Sequence, residues 1–190
     1  MTKNIMFVGV GGQGTLLASK ILGKVLIDEG YDVKVSEVHG MSQRGGSVVT
    51  YVKYGEEVYS PIVDMGDADV ICSFEQLEAL RYANYLKQGG HIIVNTQKID
   101  PMPVITGVAQ YPEGIVDTLK GAGVDVLALD ALDIATQCGS SKAVNIVLLG
   151  VLAKKLNLPE ELFIKAIEQL VKPKFIDMNK DAFHKGYTVA

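Results

Sequence analysis

The chain has 190 residues and a mass of 20.4 kDa, enough to bury a core within one domain. Hydrophobic residues at 48% and charged residues at 21% exclude disorder as the main state. A net charge of −4 and a pI near 5.4 exclude a basic nucleic-acid footprint.

The predicted elements follow in chain order. Residues 4–9 read as an apolar strand, and residues 9–14 as a glycine-rich turn. Residues 15–29 place Leu16, Leu17, Ile21, Leu22, Val25 and Leu26 at helical spacing, with Gly30 as the stop. Residues 32–38 are a second strand, which completes a Rossmann-like βαβ unit. Residues 39–46 form a polar loop, and residues 47–54 alternate as a strand should. No helix fits between these two strands, so an antiparallel hairpin is expected in place of a second crossover. Residues 58–60 read as a short return strand.

The alternation then resumes. Strands are expected at 69–73, 90–95, 104–109 and 125–129, and helices at 75–85 and 114–120. Asp130 or Asp133 caps a helix that runs to Gln137. Residues 142–156 form a long apolar helix, Pro159 opens another that runs to Val171, and residues 174–185 form an amphipathic tail. The expected fold is an open, mostly parallel α/β sheet with flanking helices, as one domain over residues 1–190 with a helical C-terminal portion from about 142. No signal peptide is visible. The apolar stretch 143–153 contains Asn145 and is too short to cross a bilayer. A soluble cytoplasmic protein without membrane or nucleic-acid partners is therefore expected.

Two loops carry the candidate chemistry. Gly9-Val10-Gly11-Gly12-Gln13-Gly14 matches G-x-G-x-x-G between a strand and a helix. Its glycines allow close backbone approach, and the N–H groups at the helix start favour an anion. Three readings stay open here: a NAD site with Glu37 as the acidic partner, another phosphate or protein contact, and a purely structural turn. The second loop holds His39, Met41, Ser42, Gln43 and Arg44 among Gly40, Gly45 and Gly46. It should emerge at the same sheet edge, where open α/β sheets bind ligands. Arg44 is one of only two arginines and could fork onto a phosphate or carboxylate. Asn95 ends a strand that reaches this edge, and Asn145 needs a partner if buried. Glu75 and Glu78 are explained by the dipole at a helix start. His91 reads as structural and His184 as solvated. Cys72 and Cys138, 66 residues apart, offer neither a metal-cluster ligand set nor a disulfide framework. No metal site is expected. No nucleophile elbow or P-loop lysine is present. The residues by themselves suggest a subunit or binding module whose chemistry is completed elsewhere.

The same motifs resemble a known family. The glycine turn followed by Leu16-Leu17-Ala18-Ser19 resembles the opening of the gamma-type domain of 2-oxoacid:ferredoxin oxidoreductases. The stretch from Glu37 to Gly46 resembles the beta subunits of the indolepyruvate branch; the pyruvate and 2-oxoglutarate branches carry Gly-Pro-Glu in place of Gly40-Met41-Ser42. Further matches are Tyr59-Ser60-Pro61, Glu75-Gln76-Leu77-Glu78-Ala79-Leu80-Arg81, Val94-Asn95-Thr96, and the run from Ala143 to Gly150. They occur in order over nearly the whole chain. The resemblance implies a complex that oxidatively decarboxylates an aromatic 2-oxoacid with coenzyme A, giving an acyl-CoA, carbon dioxide and reduced ferredoxin. It implies that thiamine diphosphate, Mg and iron–sulfur clusters sit on a partner alpha subunit, because this chain has neither the cysteines nor a thiamine motif. Because the two loops share one sheet edge, Gly11, Gly12, Gln13, Gly14, His39, Met41, Ser42, Gln43, Arg44, Gly45, Gly46 and Asn95 are expected to close the partner's active site or touch a cofactor. The residues leave open a stand-alone nucleotide- or phosphate-binding module and an architectural assembly subunit. An orphaned interface would promote homodimers of the isolated chain.

Overall fold

The pleat of strand β1 (Lys3–Val10) sends Ile5 and Phe7 to one face and Met6 and Val8 to the other, and all four are fully buried. A strand buried on both faces needs cover on both faces. The computed structural model, which describes residues 2–39 and 46–189, provides it with helices on each side of one sheet. Among the described residues the sheet has six strands: β1, β2 (Asp32–His39), β3 (Ser47–Gly55), β4 (Ala68–Ser73), β5 (Leu86–Asn95) and β6 (Asp125–Leu129). Their order is β2-β3-β1-β4-β5-β6. The pairs β1–β4, β4–β5 and β5–β6 are parallel, and β3 is antiparallel to both β1 and β2.

The expected hairpin is therefore β2–β3, in register from Asp32↔Gly55 to His39↔Val48. It places β3 between the two strands of the βαβ unit, so β1 and β2 run the same way without touching. Burial explains the insertion. Val48, Val49 and Val52 of β3 are buried, which suits an interior strand. β2 carries Asp32, Lys34 and Glu37 and exposes Val35 and Val38, which suits an edge.

Helix α1 (Thr15–Asp28) covers one face together with α5 (Ala131–Gln137), α6 (Val144–Lys155), α7 (Glu160–Leu170) and α8 (Ile176–Val189). Asp130 caps α5, its carboxylate accepting from Asp133 N–H at 2.9 Å. Helix α6 is buried on every side from Val144 to Ala153, as its apolar composition requires. It lies against α8 with the backbones nearly in contact. A Cβ at Gly150 would stand 2.3 Å from Phe183 O, and one at Gly186 2.0 Å from Val147 O. The other face is covered by α2 (Gln76–Tyr82) and α4 (Ile115–Gly121).

Two expected strands are absent. Residues 58–60 join no strand among the described residues: Val58 N–H donates to the Asp32 side chain at 2.8 Å instead, and Pro61 ends any ladder on that side. Residues 104–109 do not extend either; a short helix, α3 (Met102–Ile105), begins there. Pro101 and Pro103 hold φ near its helical value, and Thr106 Oγ1 donates back to Met102 O at 2.9 Å. No helix of the described residues is long and apolar enough to cross a membrane.

Candidate functional site

Because β1, β4, β5 and β6 are parallel, their carboxyl ends meet at one edge of the sheet. The glycine turn leaves β1 there. Gly9 is glycine because a Cβ would stand 3.0 Å from Phe74 Cβ, and Gly14 because φ is +83° and Asn145 Nδ2 would be 2.7 Å from a Cβ. Gln13 folds back over the turn. Its Oε1 accepts from Val10 N–H at 2.8 Å, and its Nε2 donates to Phe74 O at 3.0 Å and reaches Gln97 Oε1 at 3.5 Å. Asn95, fully buried at the end of β5, donates through Nδ2 to Phe74 O at 3.1 Å and to Gln97 Oε1 at 3.3 Å. Its Oδ1 accepts from Ala131 N–H at 3.0 Å. These two amides thus join the ends of β1, β4 and β5 to the start of α5. From the far side, Asn145 Nδ2 donates to Gly14 O at 3.1 Å, which satisfies a polar group inside the apolar α6.

The unpaired groups of the turn are different ones. Gln13 N–H bonds Val10 O and Gly11 N–H bonds Gly46 O, whereas no acceptor among the described residues meets Gly12 or Gly14 N–H. Both glycines border a cleft of about 510 Å³ lined by Gly12, Gln13, Gly14, Gln97, Leu132, Ser141, Lys142 and Val144. Lys142 has no ion pair among the described residues, and it also borders an apolar groove of about 320 Å³ that includes Leu17, Leu170, Val171, Phe175 and Met178. A helix start, open backbone donors and one uncommitted ammonium beside an apolar groove suit an anion with an apolar extension.

The second loop joins this edge at its described end. Gly46 O accepts from Gly11 N–H at 2.9 Å, and Ser47 pairs with Val10 across the sheet. The backbone places His39 last in β2, opposite Val48. Gly40, Met41, Ser42, Gln43, Arg44 and Gly45 lie outside the described residues. Glu37 does not occupy the place of a dinucleotide acid: β3 separates its strand from β1, and its Oε2 accepts from Thr50 Oγ1 at 3.1 Å.

Next to the turn stands a polar cluster whose reach goes beyond a helix dipole. Glu75, fully buried, caps α2 by accepting from Glu78 N–H at 3.0 Å, and accepts from Ile99 N–H at 3.1 Å. The Tyr111 hydroxyl also donates to it, and burial together with that carboxylate pushes the phenol well above its usual range. Glu78 accepts from Arg81 at 3.1 Å and from Ser47 Oγ at 2.5 Å. Burial raises the Glu78 carboxyl above the ordinary glutamate value, against the opposing pull of Ser47 and Arg81. The spacing of Glu75 and Glu78 on one helix start was a visible signal. Their partners Ser47 and Tyr111 were not, since each lies on a distant segment. His91 holds Asp125 at 2.5 Å, and His184 holds Glu160 at 2.9 Å. Cys72 is buried on β4, where desolvation pushes its thiol up, and Cys138 ends α5.

A family model described as pyruvate ferredoxin/flavodoxin oxidoreductase matches residues 4–189. The chain is 45% identical over 194 aligned residues to the indolepyruvate oxidoreductase subunit IorB of Thermococcus kodakarensis, covering 98% of this chain and 95% of the relative. It is 40% identical to the protein of the same name from Archaeoglobus fulgidus, covering 100% and 96%. Among solved structures, the pyruvate oxidoreductase subunit PORC of Thermotoga maritima has the same fold, with a TM-score of 0.76 at 24% identity over 98% and 96% of the two chains. The 2-oxoglutarate:ferredoxin oxidoreductase of Magnetococcus marinus, solved with 2-oxoglutarate, coenzyme A and succinyl-CoA, contains the fold within 31% of its chain, with a TM-score of 0.75 at 21% identity. The chain belongs to the pyruvate ferredoxin/flavodoxin oxidoreductase family, as a small subunit of its indolepyruvate/2-oxoacid type.

Proposed function

We propose that this chain is the non-cofactor-bearing subunit of a complex that oxidatively decarboxylates aromatic 2-oxoacids of the indolepyruvate type. Coenzyme A takes the acyl group, carbon dioxide leaves, and the electrons pass to ferredoxin. In this reading thiamine diphosphate, Mg and the iron–sulfur clusters belong to the alpha subunit, where thiamine supplies the carbanion chemistry. Two cysteines, one of them buried, do not supply the four thiolates of a cluster here. This chain acts as one domain whose glycine-turn edge closes the partner's cavity and holds a phosphate of coenzyme A.

The observation that carries this reading is the cleft itself. Gly12, Gly14 and Lys142 all line it, no partner among the described residues meets the two glycine N–H groups or the ammonium, and Lys142 also borders the apolar groove. Gln13 and Asn95 hold the backbone in shape instead of reaching outward. Arg44 lies outside the described residues, and its part in the reaction is proposed from its motif alone.

The test is co-expression with the alpha subunit and assay of indolepyruvate- and coenzyme-A-dependent reduction of ferredoxin or a viologen dye. Turnover is expected only from the two chains together. Lys142→Ala should raise KM for coenzyme A about tenfold with kcat little changed, the loss of one charge-assisted phosphate contact. Arg44→Ala should lower turnover. A complex that forms and turns over unchanged with both variants would leave the chain an architectural subunit. Tight nucleotide binding by the isolated chain, without activity in the complex, would make it a stand-alone phosphate-binding module.

A further inference from the structure

In a capping box the acidic side chain at the third helical position turns back to the first residue of the cap. Helix α2 has the residues for one, Glu75 as cap and Glu78 three positions on, but only half of it forms. Glu75 accepts from Glu78 N–H, whereas the Glu78 side chain leaves its own helix and crosses to β3. There its Oε2 accepts from Ser47 Oγ at 2.5 Å, and Tyr82 OH stands 3.1 Å from the same hydroxyl. Since Ser47 spends its hydrogen on Glu78, Tyr82 is the donor to Ser47. Arg81 holds the other carboxylate oxygen at 3.1 Å.

Burying a carboxylate is costly, and a helix facing an apolar core needs none. Glu78 is 3% exposed. Its placement is explained by what it holds. Ser47 is joined by one peptide bond to Gly46, whose carbonyl accepts from Gly11 N–H at 2.9 Å. Two attachments thus converge on a single peptide: α2 grips its side-chain end, and the glycine turn hangs on its carbonyl.

We propose that Glu78 is a positioning residue for the glycine turn, holding Ser47 so that the Gly46 carbonyl is fixed to receive Gly11 N–H and the open donors of Gly12 and Gly14 are aimed into the cleft. Its consequence for coenzyme A rests on the function proposed above; the mechanical link does not.

Two measurements test it. Hydrogen exchange of the full chain reads the link directly. Ser47→Ala and Glu78→Gln should each speed exchange at Gly11 about fivefold, the loss of roughly one hydrogen bond's support, while α6 stays protected. Ser47→Thr, which keeps the hydroxyl, should restore the wild-type rate. Ser47 is half-buried, so its alanine variant folds even if Glu78→Gln does not. Unchanged exchange at Gly11 in Ser47→Ala overturns the proposal. In the two-subunit complex, Ser47→Ala should raise KM for coenzyme A about fivefold with kcat within about twofold, and Ser47→Thr should reverse it. A purely structural role would lower the melting temperature and leave KM of the folded complex unchanged. If Lys142→Ala shifts KM and Ser47→Ala does not, Glu78 is not a positioning residue and the function stands. If exchange responds and neither KM moves, the link stands and coenzyme A is not held at this edge.

Discussion

Asn95 uses both amide hydrogens and its carbonyl inside the protein, on Phe74, Gln97 and Ala131. A side chain so committed acts on the site through the backbone it holds. Asn95→Leu would leave Ala131 N–H without its acceptor and is expected to cost about 2–3 kcal/mol, read as a lower urea midpoint. At the opposite edge of the sheet Asp69 is a buried acid with donors on three sides: Asn4 N–H at 2.8 Å, Lys3 at 3.4 Å, and Lys87. Burial alone would raise its carboxyl, but the bonds from Lys87 and Asn4 outweigh it and hold the group below the ordinary aspartate range. A carboxyl lowered by folding stabilises the protein above its unfolded value, and that stability is lost as the pH falls through the folded one. Asp69→Asn should therefore cost about 1–3 kcal/mol near neutrality, with the gap to wild type closing below about pH 4. A gap that stays constant across that range would refute the charge as its cause.

Among the elements, α6 and α8 show the tightest tolerance. Their crossing admits no Cβ at Gly150 or Gly186, because backbone atoms stand in the way on each side. Gly186→Ala must push the helices apart, and is expected to cost at least about 3 kcal/mol or prevent folding. Gly121 at the end of α4 has open space around it, so Gly121→Ala should change stability by less than about 1 kcal/mol. Thermal melts of the two variants side by side distinguish close packing from a general intolerance of glycine replacement. The strands and long helices were legible as elements because burial imposes periods of two and of 3.6 on their apolar residues. The two misread segments, 58–60 and 104–109, lie where proline and single side-chain bonds override a weak strand preference.

At the scale of the whole molecule, the mixed sheet determines what can meet. Parallel strands β1, β4, β5 and β6 bring four chain segments to one edge, and the antiparallel β3 adds a fifth, the Gly46 end of the second loop. The C-terminal helices complete the surroundings, since Lys142 and Asn145 approach the turn from more than a hundred residues away. The result is a cleft lined by two open glycines, the Ser141 hydroxyl and the Lys142 ammonium, with no His, Cys, Asp or Glu among its described lining residues. On the function proposed above, turnover is expected only when the chain is assembled with an alpha subunit.

The sequence by itself determined the α/β class, the hairpin departure, the strand–glycine–helix turn, an aspartate cap at the start of α5, the buried α6 and the family resemblance. The structural features among these rest on local conformational preference or on periodicity within a short window, and the resemblance rests on the identity and order of its motifs. Only the tertiary structure decided that β3 lies between β1 and β2, that Gln13 and Asn95 point inward, and that Lys142 completes the cleft. It also decided that Glu78 reaches Ser47 and that glycines carry the α6–α8 crossing. The physical reason is separation along the chain. Glu78 and Ser47 are 31 residues apart and Asn145 and Gly14 131 apart, and no local preference carries the direction of a side chain over such a span.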